Sequence, residues 1–258
     1  MKSFNTYINE KLKITKSMLN KQTITPQTIE ELVEVIKNEI KLHGGDCSLN
    51  HINISKIKSI SYLFSEHPVS TWGISGFCGD ISKWNMSNVD DATYLFNDNK
   101  SITSIKLPDT LNKIYRCMFF DCENLTNVEI PDSVTDIGAY AFRGCKKLSK
   151  IELPDTIKNI GDLAFMYCES LTSIVIPEGV TCLKSYLFAY CKELTDVTLP
   201  KSINTIKTNI FNYCSKLKNI KFNGTREEFG KIIVDEKWRG EKTTFKSVTC
   251  TDGKYKLY

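Results

Sequence analysis

One register dominates this chain: Ile102, Leu125, Leu148, Leu171, Leu194 and Leu217 follow one another at a strict interval of 23 residues. In the same frame the fourth position is Ile105, Val128, Ile151, Ile174, Val197 and Ile220, and the sixth is Leu107, Ile130, Leu153, Ile176, Leu199 and Phe222. A proline follows five times, from Pro108 to Pro200. Two further apolar columns come next, then a column of Phe119, Phe142, Phe165, Phe188 and Phe211, and finally Cys122, Cys145, Cys168, Cys191 and Cys214. One unit carries too few apolar side chains to offset the entropy of ordering it, so the repeats must stack and share a continuous core.

The stretch L-x-x-[IV]-x-[LI]-P has the alternation of a short strand facing the core, and its proline, which cannot donate to a ladder, marks where pairing stops. A period of 23 lies in the 20–29 range of leucine-rich repeats, each a strand with a return segment. The pattern extends upstream in disguise. Leu49, Ile52, Ile54, Ile57, Ile60, Leu63 and Phe64 match Ile81, Trp84, Met86, Val89, Ala92, Leu95 and Phe96, each pair 32 residues apart, which leaves about eleven extra residues in "SEHPVSTWGISGFCGD". The expected fold is an α/β repeat solenoid of about eight short parallel strands, starting near residues 49, 81, 102, 125, 148, 171, 194 and 217 and closed by helical caps.

The organisation follows. Residues 1–20 form a short basic leader or docking segment. Residues 21–48 hold an amphipathic capping helix, with Thr25 as N-cap, Pro26 at the first helical position, Ile29, Leu32, Val33, Ile36 and Ile40 on one face, and a stop at Gly44. The solenoid spans 49–222 with an insertion at 65–80. The C-terminal cap spans 223–258 and opens on a helix with the Thr225/Glu228 spacing of a capping box; Phe229, Ile232, Ile233 and Trp238 are expected to cover the last coil, before a final strand and turn.

A net charge of +4 with interspersed Lys, Asp and Glu offers no basic stripe for nucleic acid or membrane surfaces. No stretch approaches the length of a membrane span, and the N-terminus lacks the apolar run of a secretory signal. The ten cysteines are therefore expected as reduced thiols, in a cytoplasmic or virion-associated protein.

The units "LTNVEIPDSVTDIGAYAFRGCKK" and "LTSIVIPEGVTCLKSYLFAYCKE" resemble the BspA-type leucine-rich repeat. "GDISKWNMSNVDDATYLF" resembles the related Trp- and Ser-Asn-Val-containing repeat of bacterial surface proteins, and "FNGTREEFGKI" through "VTCTDG" resembles the terminal segment common in this group. The resemblance covers roughly residues 45–253 and implies protein–protein recognition or adhesion without chemistry. The leader "MKSFNTYINEKLKIT" resembles short N-terminal segments of proteins encoded by phages of gut Bacteroides-type bacteria.

No catalytic residue, cofactor or metal is expected. The chain has no phosphate-binding glycine loop, no H-E-x-x-H and no C-x-x-C, and a straight row of thiols cannot converge tetrahedrally, so the cysteine column reads as buried structural thiol. The acidic row Asp109, Asp132, Asp155 and Glu178 reads as turn chemistry, with carboxylates accepting backbone N–H groups. The candidate partner-binding residues are on the strands' outward side: Lys106, Glu129, Glu152 and Thr198 in one column, Thr126 and Thr172 in another. Tyr167, Tyr190 and Tyr213 form an aromatic row, and His67 and Trp72 mark the inserted loop. Each group has a plain alternative: solvated β surface, packing between turns, or cover for the junction between repeat types. The expected function is a non-catalytic module whose rigid β face recognises a protein or glycan; the alternative is a phage virion structural or packaged scaffold docked by its leader.

Overall fold

The structure is a computed structural model and describes residues 23–257. The leader at 1–20 lies outside the described residues. The 23-residue period becomes two rows of short parallel strands. The first row contains β1 (Ser104–Lys106), β3 (Asn127–Glu129), β6 (Ser173–Val175), β8 (Asp196–Leu199) and β10 (Asn219–Phe222). The second contains β2 (Lys113–Ile114), β4 (Asp136–Ile137), β5 (Asn159–Ile160), β7 (Cys182–Leu183) and β9 (Thr205–Ile206). Pairing keeps the repeat register, as in Ile105 with Val128 and Ile174 with Val197. The second row was not expected from sequence; its two-residue strands are too short to show a period.

The first row has fewer strands than the eight expected. The segments at 49 and 81 form no ladder: their coils pair through isolated bridges, Ser48 with Asp80 and Ser59 with Asp91, and through side-chain bonds such as Trp84 Nε1 to Leu49 O at 2.9 Å. Their polar side chains close local turns instead: Asn53 Oδ1 accepts Ser55 N–H at 3.0 Å and Asp80 Oδ1 accepts Ser82 N–H at 2.8 Å, bonds that compete with a ladder. The segment after Leu148 forms no strand at all.

The return segments are also hydrogen-bonded, alternate residues' N–H groups reaching a carbonyl 22 positions on while those between bond three positions back, as Arg143 N–H on Tyr140 O at 3.1 Å. Tyr140 bonds Asp162, Phe142 bonds Ala164 and Gly144 bonds Met166 at 3.0, 2.8 and 2.8 Å. This ladder places left-handed residues on both sides of the phenylalanine, such as Tyr140 at φ 60° and Gly144 at φ 77°. Between them the phenylalanine points inward. Phe64, Phe96, Phe119, Phe142, Phe165, Phe188 and Phe211 form one fully buried stack with centroids 5.2–5.8 Å apart. The cysteine column runs beside it. Each thiol donates to the phenylalanine carbonyl of the preceding coil, from Cys122 Sγ to Phe96 O at 2.9 Å through Cys214 Sγ to Phe188 O at 3.0 Å. Asn99 occupies the same column in the unit before and does the same with its amide, bonding Phe64 O at 3.1 Å.

Both ends of the stack are capped by aromatic rings. Phe77, from the inserted loop, lies on Phe64 with centroids 4.1 Å apart, and Trp238 and Phe245 meet Phe211 edge-on. The helix α1 (Ile29–His43) covers the first coil. Its N-cap is Thr28 and not Thr25, because Ile24 is held extended beside the first coil, its N–H on His51 O and its carbonyl on Asn53 N–H. Buried Glu39 on α1 meets His51 at 3.4 Å and His43 at 3.9 Å. At the other end α2 (Arg226–Gly230) has the Thr225/Glu228 capping box. Ile233 does not cover the last coil: it is 72% exposed in β11 (Ile233–Val234), which pairs with β9 and turns its side chain out. The final segment is a hairpin, β12 (Ser247–Cys250) adding to β10 and β13 (Gly253–Lys256) closing the edge antiparallel.

Candidate functional site

The candidate surface is the outward side of the first row. Lys106 lies opposite Glu129, and Val175, Thr198, Lys221 and Thr249 follow one another across β6, β8, β10 and β12. Lys106, Glu129 and Glu152 are exposed, Thr198 half so. Inward neighbours such as Ile105, Val197 and Ile220 are buried, which fixes the outward direction of the alternate residues.

The threonine column is engaged within the protein. Thr126 Oγ1 donates to Thr103 O at 2.8 Å, Thr172 Oγ1 to Ser149 O at 3.3 Å and Thr195 Oγ1 to Thr172 O at 3.1 Å. These hydroxyls bind coil to coil. Asn219 and Asp196 do the same through a 2.7 Å side-chain bond; the Thr195 hydroxyl first, and then the Asn219 amide, hold the Asp196 carboxyl below its usual range. The Lys106 ammonium and Glu129 carboxylate, by contrast, make no hydrogen bond or ion pair among the described residues. Lys150, not singled out from sequence, lies 2.5 Å from Glu152 and lowers that carboxyl.

Tyr167, Tyr190 and Tyr213 stack at 4.5 and 4.8 Å, half-buried on the return side and away from the strand face. Arg143 continues this row, its guanidinium 5.3 Å from the Tyr167 ring and 4.7 Å from Phe120. No single-column pattern pointed to that arginine. In the inserted loop, Trp72 Nε1 donates to Ser61 O of the first coil at 3.0 Å and His67 Nδ1 accepts Val69 N–H at 3.3 Å, so the first ties the loop down and the second closes a turn within it.

The acidic row differs from expectation. The turns close through proline carbonyls, as Val134 N–H on Pro131 O at 3.1 Å, and no hydrogen bond to the Asp109, Asp132 or Asp155 carboxylates occurs among the described residues. All three are exposed. The backbone satisfies itself here, so the carboxylates are left to solvent.

The strand face is interrupted. No backbone hydrogen bond among the described residues joins 126–130 to 149–153, and only Thr172 N–H on Ser149 O joins 149–153 to the next coil. Here Ile130, Pro131, Leu153 and Pro154 are half-buried, whereas Leu107, Pro108, Ile176 and Pro177 in the same columns are buried. A cavity of about 360 Å³ lies between the two segments, with others of about 500 and 260 Å³ beside Pro131 and Leu153.

Among the described residues no group of three or more His, Cys, Asp or Glu is arranged to hold a metal ion, and no helix is long and apolar enough to cross a membrane. All ten cysteines are free thiols. Burial pushes the ladder thiols up, Cys214 to about 12, and burial with the Glu39 charge pushes Cys47 to about 11.

Comparison with known proteins agrees with this geometry. A leucine-rich repeat protein from Bacteroides ovatus is 27% identical, with a TM-score of 0.54 over 65% of this chain and 43% of its own. A leucine-rich repeat protein of T. pallidum is 30% identical with a TM-score of 0.49, over 50% of this chain and 64% of that one. The chain thus spans less than two thirds of each. No curated protein matches it. The model of the BspA type leucine rich repeat region matches in six copies over residues 92–218 and 135–248, a repeat type that commonly mediates protein binding or adhesion and is generally non-catalytic. More than half of the chain is covered by these repeats, and it belongs to the BspA-type leucine-rich repeat family.

Proposed function

We propose that the protein is a non-catalytic recognition module that binds a protein partner through its strand face. The observation that carries this reading is the division of labour among polar groups. Thr126, Thr172, Thr195 and Asp196 are consumed in joining coils, while the neighbouring column from Lys106 and Glu129 to Thr198 and Lys221 stands outward on a rigid frame. A rigid surface loses little entropy on binding, which favours recognition by fixed charges. A protein fits better than a glycan, because the outward column from Lys106 to Thr249 carries charged, hydroxyl and aliphatic side chains and no aromatic ring on which a sugar could stack.

The test is capture of partners from a lysate of the source cells by tagged protein, compared with Lys106→Glu, Thr198→Arg and Lys221→Glu variants whose melting is unchanged. Loss of the captured species with these variants supports the face. Loss only on removal of residues 1–20, with face variants behaving as the parent, favours instead a scaffold or packaged protein docked by its leader.

A further inference from the structure

The two strand rows do not end together. The first continues past β10 through β12 and β13, whereas the second stops at β11, and among the described residues no strand follows it. Ile233 N–H on Asn204 O and Asp235 N–H on Ile206 O, both at 2.9 Å, turn residues 233 and 235 toward β9. Alternate residues of a parallel strand direct their main-chain groups to opposite sides, so the Ile232 carbonyl and both main-chain groups of Val234 point away from β9. None of the three is hydrogen-bonded among the described residues. The side chains are equally uncovered. Ile233 stands outward, and Val234, in register with buried Leu183 and Ile206, is 44% exposed because no coil lies beyond it. They are the one adjacent pair among the large apolar side chains exposed in the described residues. Beside them a hollow of about 290 Å³ opens at the end of the core, lined by Phe229, Ile232 and Trp238 and bounded by Tyr255 and Leu257. A free edge next to exposed apolar surface is a template for a further strand.

The residues of β11 specify which chain supplies that strand. Aligned antiparallel with itself about Ile233, the segment 231–235 puts Lys231 opposite Asp235, Ile232 opposite Val234 and Ile233 opposite its own copy. Two pairs of opposite charge then flank an apolar contact on the outward side, an arrangement that favours cross-strand pairing. Lys231 lies 2.6 Å from Glu227 on its own helix, but an ammonium has three donors to share. The register also brings each Val234 N–H to the other copy's Ile232 carbonyl, both of them groups that the edge leaves free. Centring on Val234 instead would set Lys231 against Lys237 and Ile233 against Asp235, and a parallel alignment would set like charges side by side. The geometry points to a second copy of this chain as the occupant: two protomers join β11 to β11, antiparallel about a two-fold axis, so that their second rows form one sheet. Each protomer's Val234 enters the hollow of the other, and the two Ile233 side chains cover one another. The protomers diverge on the first-row side, where each hairpin of β12 and β13 projects. The strand face of the first row takes no part, so this association is independent of the recognition reading above.

Sedimentation equilibrium of the full-length chain should show monomer passing to dimer between about 10 μM and about 1 mM. Lys231→Glu and Asp235→Lys, at unchanged melting temperature, should each associate about tenfold more weakly, because both charge pairs become like-charged. Mixed in equal amounts, the two variants should regain the parent's affinity, since every pair in the mixed dimer again joins opposite charges. A merely structural effect of either substitution would not be repaired by mixing. Ile233→Asp should abolish the dimer over the same range, exchange of the Val234 amide should slow as concentration rises, and Lys106→Glu on the strand face should leave association unchanged. Three results would overturn the proposal: a monomer at every concentration, a mixture that associates no better than either variant alone, or loss of the dimer on removal of residues 1–20, which would assign the contact to the leader.

Discussion

Raising the pH from about 8 to about 10 is expected to unfold the solenoid through its own thiols. Cys122, Cys145, Cys168, Cys191 and Cys214 are fully buried, and burial raises all five above the ordinary value of 9.0. Unfolded, the same thiols titrate near 9.0, so above that value the unfolded chain holds fewer protons than the folded one. The stabilisation is complete below pH 9 and is lost as the pH rises toward the folded values. Each thiol contributes a slope of about 1.4 kcal/mol per pH unit, so five remove about 7 kcal/mol by pH 10, against a typical total of ~5–15 kcal/mol. Lysines and tyrosines titrate nearby, so the assay is a comparison: denaturant unfolding under reductant at several alkaline pH values, for the parent and Cys168→Val. The variant loses one titrating group and its bond to Phe142 O, so its stability should start lower and fall about 1.4 kcal/mol per unit less steeply. Parallel slopes would refute the reasoning, because they would mean that the thiol ionises as easily inside the fold as outside.

Phe77→Ala should cost about 3–5 kcal/mol and loosen the first coils before the rest, read by hydrogen exchange at the Phe64 and Asn99 amides; a loss under about 1 kcal/mol would show that the inserted loop does not cap the stack. Under native conditions Cys47, Cys78 and Cys182 should react with a thiol reagent well ahead of the other seven, and Cys47, its thiol at about 11, should accelerate about tenfold per pH unit up to that value. Equal early reaction of the ladder thiols would contradict their burial. Gly179→Ser should cost about 1–3 kcal/mol, because a Cβ there would lie 2.5 Å from Ile157 O, although serine is the natural residue in that column at Ser133 and Ser202; a neutral melt would show that the coils can separate at that corner.

Inward columns were legible because burial is a property of one side chain against its own backbone period. The three-residue shift from Thr25 to Thr28 at the cap, the outward turn of Ile233 and the second strand row were not, since each depends on which distant segment supplies a partner. Ile24 is held by His51 and Asn53, and Ile233 by Asn204. The candidate face divides in the same way. Lys106, Glu129 and Glu152 could be placed outward by alternation alone, whereas the commitment of Thr126 and Thr172 to coil joining, and of Trp72 and His67 to holding the inserted loop, required the positions of their partners.

The amino-acid sequence alone determined that this chain is a stack: 23-residue spacing of Leu, Ile, Phe and Cys leaves no way to bury a unit except against the next. It equally determined which side chains face in, through strand alternation. Tertiary structure decided what the cysteines do beyond filling space, since each thiol's acceptor is a carbonyl in the preceding coil. It also decided where the face opens. Units with nearly the same residues at 125–131 and 171–177 differ in whether their neighbours' backbones come within bonding distance, and that depends on the next coil as much as on the unit itself, which no single repeat encodes.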